Sequence, residues 1–202
     1  INFNTGNLSA SKTYNVLSEI SANSGALMFD GSNDHVFIPN NSNLNPTRIS
    51  LECWVKLQAY DSLAEIIVKS NLNKTNGYGL ILNSTKNKFA FYYNGYPNGL
   101  VTSSTIAALN TWYHVAATFD GIQTKIYVNG VLENTVIDLG TISSTTENIE
   151  LGGSRTTGSY MMQGMMDEVR IWDKAISATQ IQTNMNSYLE GNEPNLVAYY
   201  QF

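Results

Sequence analysis

The chain has 202 residues, which fits one domain of all-β sandwich size or at most two small ones and leaves room for a sizeable core. Charged residues are only 13% of it, against roughly 25% in an average soluble domain, and its polarity comes from Asn, Ser and Thr, which favour turns and strands. A net charge of −5 without a basic stripe argues against a nucleic-acid footprint, one cysteine excludes an internal disulfide, and no apolar run approaches the ~20 residues of a spanning helix.

Residues 1–24 are rich in Asn and Ser with scattered apolar residues (Phe3, Leu8, Tyr14, Val16, Leu17, Ile20). They predict a lead-in carrying one or two edge strands, closed by a turn at Asn23-Ser24-Gly25. The chain starts without Met and without a signal-peptide profile, so the expectation is a mature or excised fragment. A short strand over 26–29 runs into the acidic loop Asp30-Gly31-Ser32-Asn33-Asp34, and extended structure resumes at His35 until Pro39 limits it. Residues 49–57 alternate, with Ile49, Leu51, Cys53 and Val55 on one face and Ser50, Glu52, Trp54 and Lys56 on the other. Cys53 therefore reads as a packed thiol. Strands over 64–69, 78–82 and 88–93 follow, the last two as a hairpin, and Asn94 to Gly99 is a turn that presents Tyr96. Strands over 112–119 and 125–128 are joined through Asp120-Gly121. Asn129-Gly130 then makes a type I′ turn into Val131, and 147–151 is a strand ended by Gly152-Gly153.

The stretch from Gly164 to Ser177 organises the rest. Met166, Glu168, Arg170 and Trp172 alternate with Met165, Asp167, Val169 and Ile171, the period of a strand. Ser177-Ala-Thr-Gln180 is a capping box, and Ile181, Met185, Tyr188 and Leu189 form one apolar stripe on a helix of about three turns. After a linker from Glu190, residues 195–202 carry one more strand pattern. Many short strands with turn signals, one late helix and no alternation of helices with strands predict an all-β fold, a two-sheet antiparallel sandwich with one short C-terminal helix.

Six motifs occur in order: Ala26-Leu-Met-Phe-Asp-Gly-Ser-Asn-Asp-His-Val36, Ile49-Ser-Leu-Glu-Cys-Trp-Val-Lys56, Trp112-Tyr-His-Val-Ala116, Phe119-Asp-Gly121, Ile126-Tyr-Val-Asn-Gly130 and Gly164-Met-Met-Asp-Glu-Val-Arg-Ile-Trp172. Together, over roughly residues 25–190, they resemble the laminin-G-like branch of the concanavalin A-like lectin/glucanase fold of bacterial secreted and surface proteins. The resemblance implies a jelly-roll of two curved sheets, an extracellular or cell-surface setting, membership in a larger multidomain protein, and a structural Ca²⁺. In such families the pattern Leu-Val-Ala-Tyr-Tyr-x-Phe opens a domain. Here residues 191–202 either complete this sandwich or belong to a following repeat.

Ca²⁺ takes six to eight oxygens, mixing carboxylates, carbonyls and water. By resemblance the ion sits between the acidic loop, with Asp30 and also Asp34 or Asn33, and Asp167 of the late strand. The alternative is that Asp30 forms a turn and Asp167 pairs with Arg170 or a backbone amide. For a ligand, the resemblance points to a sheet face bearing Glu52, Trp54, Lys56 and His114. There Trp54 would offer a flat surface to a sugar ring, and Glu52 and His114 would give directed hydrogen bonds. Against this stands Trp54 packed under a loop. The loop aromatics Tyr60, Tyr96 and Tyr160 are a second option for sugar contact.

Chemistry is not expected. No Glu is followed two residues later by Asp, and Glu147 and Glu150 point to opposite faces of a strand. Two histidines outside a ligand-spaced cluster give no zinc site, and a packed Cys is a poor nucleophile. The expected function is a non-catalytic extracellular binding or adhesion module that takes polysaccharide or glycan and is stabilised by Ca²⁺. The rival is a structural spacer or protein–protein adhesion domain without sugar affinity.

Overall fold

The computed structural model describes residues 25–60, 63–71, 73–83, 87–153 and 160–202, so the lead-in expected over 1–24 lies outside the described residues. Among these are β1 (Leu27–Asp30), β2 (Val36–Ile38), β3 (Ile49–Leu57), β4 (Glu65–Lys69), β5 (Tyr78–Asn83), β6 (Lys88–Tyr93) and β7 (Val101–Ile106). There follow β8 (Trp112–Phe119), β9 (Gln123–Val128), β10 (Val131–Ile137), β11 (Ile149–Leu151), β12 (Gln163–Trp172), the helix α1 (Ala178–Asn184) and β13 (Leu196–Tyr200).

Two antiparallel sheets face each other. One has seven strands in the order β1-β12-β3-β8-β9-β10, with β13 also paired to β12; the other has six in the order β2-β11-β4-β5-β6-β7. The core lies between them. Ile49, Leu51, Cys53 and Val55 of β3 meet Leu80, Leu82, Phe89 and Phe91 of the β5–β6 hairpin there, all fully buried. The period-2 pattern of β3 thus puts its apolar set inward.

Strand β12 departs from strict alternation. Its register with β3 slips between Asp167, opposite Trp54, and Arg170, opposite Glu52, so one extra residue is accommodated and Glu168 adopts φ 55°. This is a β-bulge, with a non-glycine residue in left-handed backbone. The Asp167 carboxylate steadies it, its Oδ1 accepting from the Glu168 N–H at 2.7 Å. As a result Met166 joins Val169 and Ile171 in the core, while Arg170 and Trp172 point to the outside of the sheet. The expected grouping of Met166 with Glu168, Arg170 and Trp172 is corrected by this one residue.

Strands β1 and β13 lie end to end along the same edge of β12, β1 opposite 163–166 and β13 opposite 169–172. They nearly touch: a Cβ on Gly25 would come within 2.7 Å of the Phe202 carbonyl carbon. The final strand therefore completes this sandwich in the structure. The Ser177 side chain caps α1 by accepting from the Gln180 N–H at 3.1 Å, but the helix closes at Asn184 with Met185 as its C-cap, and Tyr188 is exposed. The expected third turn does not form.

Candidate functional site

The outward face of the seven-stranded sheet carries the residues to which the resemblance pointed for a sugar. Glu52 and His114 are fully buried there beneath α1 and the segment around it. Trp172 donates its indole N–H to Glu52 Oε1 at 3.0 Å. Arg170 pairs with Glu168 and lies 3.6 Å from Glu52, and its guanidinium donates to the Asn184 and Ser187 carbonyls at 2.8 and 2.7 Å. The helix C-terminus is a natural seat for a cation, because its last carbonyls lack intrahelical donors. Trp54 donates its Nε1–H to the Met185 carbonyl at 2.8 Å and sets its ring edge-on to His114. Glu52 and His114, expected to meet a sugar, are therefore out of a ligand's reach, and Trp54 is half-buried with its N–H committed to the chain itself. These residues staple the C-terminal segment to the sheet.

Burial governs their protonation. It raises the Glu52 carboxyl to about 7, opposed by Arg170 and the Trp172 hydrogen bond, and it lowers His114 to about 3, helped by the nearby Arg170 charge. Glu52 Oε2, both His114 nitrogens, Glu168 Oε1 and Arg170 Nε make no hydrogen bond among the described residues.

The aspartates separate in the same way. Asp30 pairs with Gln163 across β1 and β12, four residues from Asp167 along the strand, or about 13 Å at strand rise. Asp30 Oδ1 accepts from the Ser32 and Asn33 N–H groups at 2.7 and 3.3 Å, and Asp34 Oδ2 accepts from the Asp30 N–H at 3.0 Å. Asp167 Oδ1 also accepts from the Phe202 N–H at 2.9 Å, so it ties down the end of the chain. Burial raises the Asp167 carboxyl, while these two amides hold it back. Asp30 and Asp34 share a loop, but Asp30 and Asp167 do not fit one ion between them. Among the described residues no group of three or more His, Cys, Asp or Glu side chains could hold a metal.

The outward face of the six-stranded sheet is built differently. Register brings Phe37, Glu150, Val68, Gly79 and Tyr92 into one row across β2, β11, β4, β5 and β6. Beside it, Glu65 lies opposite Ile81 and Ile81 opposite Ala90. The row is possible because Gly79 has no side chain; a Cβ there would meet the Tyr92 ring at 2.7 Å. Lys74 reaches over this face to pair with Glu65, and its ammonium sits 4.0 Å from the centre of the Tyr160 ring. The Tyr96 N–H donates to the Lys74 carbonyl at 2.7 Å, and the Tyr96 ring stands edge-on to Tyr92 at 5.7 Å.

So Tyr160 lies against the ion pair and Tyr96 is tied to the Lys74 backbone, while Tyr60 turns away to donate to the Ala107 carbonyl. The Tyr92 hydroxyl is buried beside the Ser70 side chain, and burial raises its ionisation. Burial raises the Glu65 carboxyl, Lys74 counters it, and Glu150 adds to the rise.

A family model described as the concanavalin A-like lectin/glucanases superfamily, of laminin-G type, matches residues 30–182. The chain belongs to that superfamily. Comparison with curated proteins finds no match. Among solved structures, a candidate carbohydrate-binding protein from Bacteroides ovatus shares 19% identity with a TM-score of 0.70, covering 88% of this chain and 53% of its own. This chain thus spans about half the length of that protein. Domain 4 of an extracellular arabinanase from Geobacillus stearothermophilus, solved with arabinotriose, shares 18% identity at a TM-score of 0.61, covering 78% of this chain and 75% of its own. A carbohydrate-binding domain of a Ruminococcus gnavus sialidase, solved with sialyllactose, shares 13% at 0.64, covering 78% and 94%.

These likenesses agree with the jelly-roll sandwich seen here. Sequence reasoning missed Phe37, Tyr92, Glu65 and Lys74 as members of one face. The available signal was Gly79 inside an otherwise apolar strand, since an isolated strand glycine marks a close approach by another group.

Proposed function

We propose that this chain is a non-catalytic carbohydrate-binding module of an extracellular multidomain protein, and that it takes glycan on the outward face of the six-stranded sheet. The observation that carries the reading is the pair of half-buried rings on that face, Tyr96 standing edge-on to Tyr92 and Tyr160 over the Lys74 ammonium. Such rings give a sugar stacking surface. The binding of arabinotriose and sialyllactose by related folds supports the ligand class. Glu65 is buried and ion-paired, which is no position for a nucleophile or acid on a glycosidic bond.

A glycan array tests the reading. Retention of any glycan that falls roughly fivefold in Tyr96→Ala or Tyr160→Ala, equivalent to ~1 kcal/mol per aromatic contact, fits the proposal. Retention that falls instead in Trp54→Phe would move the site to the other sheet. A protein–protein adhesion role draws on one observation: Ile122, Ile137 and Leu139 are exposed where the Asp138 N–H meets the Ile122 carbonyl at one edge.

A further inference from the structure

The loop from Asn94 to Leu100, which presents Tyr96, also carries reactive chemistry of its own. An asparagine followed by glycine can close on itself, because glycine has no Cβ to hinder attack by its backbone nitrogen on the preceding side-chain amide. The sequence has four such steps: Asn76-Gly77, Asn94-Gly95, Asn98-Gly99 and Asn129-Gly130. Closure requires the asparagine amide to swing onto the next nitrogen, so whatever holds the side chain or the turn protects the step.

Three of the four are held. Asn76 Oδ1 accepts from the Asn71 N–H at 2.8 Å, and its Nδ2 donates to Thr145 Oγ1 at 3.2 Å. Asn94 Nδ2 donates to the Thr141 carbonyl at 2.8 Å, and its Oδ1 accepts from the Ser143 N–H at 2.7 Å. Asn129 Oδ1 accepts from the His114 N–H at 2.9 Å, and Gln182 clamps that turn by donating Nε2–H to the Gly130 carbonyl at 3.0 Å. Gly77, Gly95 and Gly130 are all buried. Asn98 differs. It is exposed, and Gly99 is only half-buried. Among the described residues its side chain makes one hydrogen bond, from Nδ2 to the Asn94 carbonyl at 3.2 Å, and that partner belongs to the same loop.

We propose that Asn98 is a self-modification site, converting to aspartate and isoaspartate through a cyclic imide formed with Gly99. The Gly99 nitrogen gives its proton to solvent, and its electron pair forms a bond to Asn98 Cγ. The Cγ–Nδ2 bond breaks, and Nδ2 takes up a proton from solvent and leaves as ammonia. Water then opens the imide. Attack at Cγ gives aspartate, while attack at the backbone carbonyl gives isoaspartate, whose main chain runs through Cβ and Cγ. The loop feels the second product most. The Asn98 carbonyl accepts from the Tyr93 N–H at 3.3 Å, and the Asn98 N–H donates to the Gly95 carbonyl at 2.7 Å, closing the turn that carries Tyr96. Isoaspartate takes that carbonyl out of the main chain and so shifts Tyr96. The effect on a ligand, unlike the site itself, rests on the carbohydrate reading above.

The test is peptide mapping of the chain aged in mildly alkaline buffer, folded and in urea, with acid gain read at each asparagine and isoaspartate read by enzymatic methylation. In the folded protein Asn98 is expected to gain acid at least roughly tenfold faster than the other three, about the factor one more hydrogen bond imposes, and in urea at a rate like theirs. Another step leading, or all four equally slow in the folded protein, overturns the proposal. Asn98→Gln, at an exposed position, should remove the isoaspartate signal, and its persistence overturns the assignment. On the glycan array, ageing should lower wild-type retention roughly fivefold and spare the Asn98→Gln chain. Unchanged retention overturns the link to Tyr96. A fresh chain that retains no glycan overturns the carbohydrate reading and leaves the modification site standing.

Discussion

On the seven-stranded sheet, Glu52, His114, Arg170 and Trp172 point outward into a layer sealed by α1. On the six-stranded sheet, Phe37, Glu150 and Tyr92 point outward with no helix over them among the described residues. Both faces hold an acid, a cation and aromatic rings. What differs is where the polar groups find their partners. Beneath α1, Arg170 and Trp54 donate to three backbone carbonyls of the C-terminal segment, so the charge serves to fasten one part of the chain to another. On the other sheet the pair Glu65–Lys74 is closed on itself, with the Tyr160 ring against its ammonium. A charge spent on carbonyls of its own chain is structural, while rings left at the rim of a face are what a sugar can stack on.

The contrast can be broken by removing one member at a time. The largest effect is expected from Arg170→Met. It strands Glu168 and two carbonyl partners, and should cost about 3–5 kcal/mol in urea unfolding, the range for breaking a buried ion pair.

Next comes pH. The raised Glu52 carboxyl favours folding below about pH 4.5 and loses that contribution as pH climbs to about 7. The lowered His114 works in reverse, contributing fully above pH 6.5 and losing it as pH falls towards about 3. Between pH 4.5 and 6.5 the two slopes oppose each other, so the pair leaves wild-type stability nearly level there. In Glu52→Gln only the histidine slope remains. Stability relative to wild type should rise by ~2–3 kcal/mol across that window, and unfolding followed at several pH values checks the slope.

Trp54→Phe should lose ~1 kcal/mol, the worth of its bond to the Met185 carbonyl, yet leave glycan retention unchanged. Tyr160→Ala should instead weaken glycan binding, at a stability cost of ~0.5–1 kcal/mol for its contact with the Lys74 ammonium. Smallest of all is Asp167→Asn against calcium. Because Asp30 and Asp167 lie apart, any rise in melting temperature on adding Ca²⁺ to chelator-stripped protein should be equal in the variant and the wild type.

Much of the sandwich could be read from local pattern. The alternation of β3 and β8, the Asn129-Gly130 turn and the Ser177 cap each depend on residues close in sequence, and each forms as their chemistry requires. Strand β7 was not legible, since Val101-Thr-Ser-Ser-Thr-Ile106 is apolar only at its ends and sits on a sheet edge. Nor could the bulge be seen, because a one-residue insertion leaves no mark in an alternating run. Trp54 shows the deeper limit. An outward Trp on a strand has the same sequence signature whether a helix or solvent lies over it, and the covering segment comes from far along the chain. Tyr96 and Tyr160 could be suspected singly, but that each touches Lys74, one at its carbonyl and one at its ammonium, depends on contacts between distant parts of the chain.

The abutment of Phe202 against Gly25 has a consequence for the topology. With β13 and β1 collinear along one side of β12, a peptide bond joining 202 to 25 would make them a single uninterrupted edge. A circularly permuted chain opened in an exposed connection, such as the 190–193 linker, could then keep every pairing described above. The sandwich is thus defined by its ladder of neighbours and is indifferent to which of them is translated first.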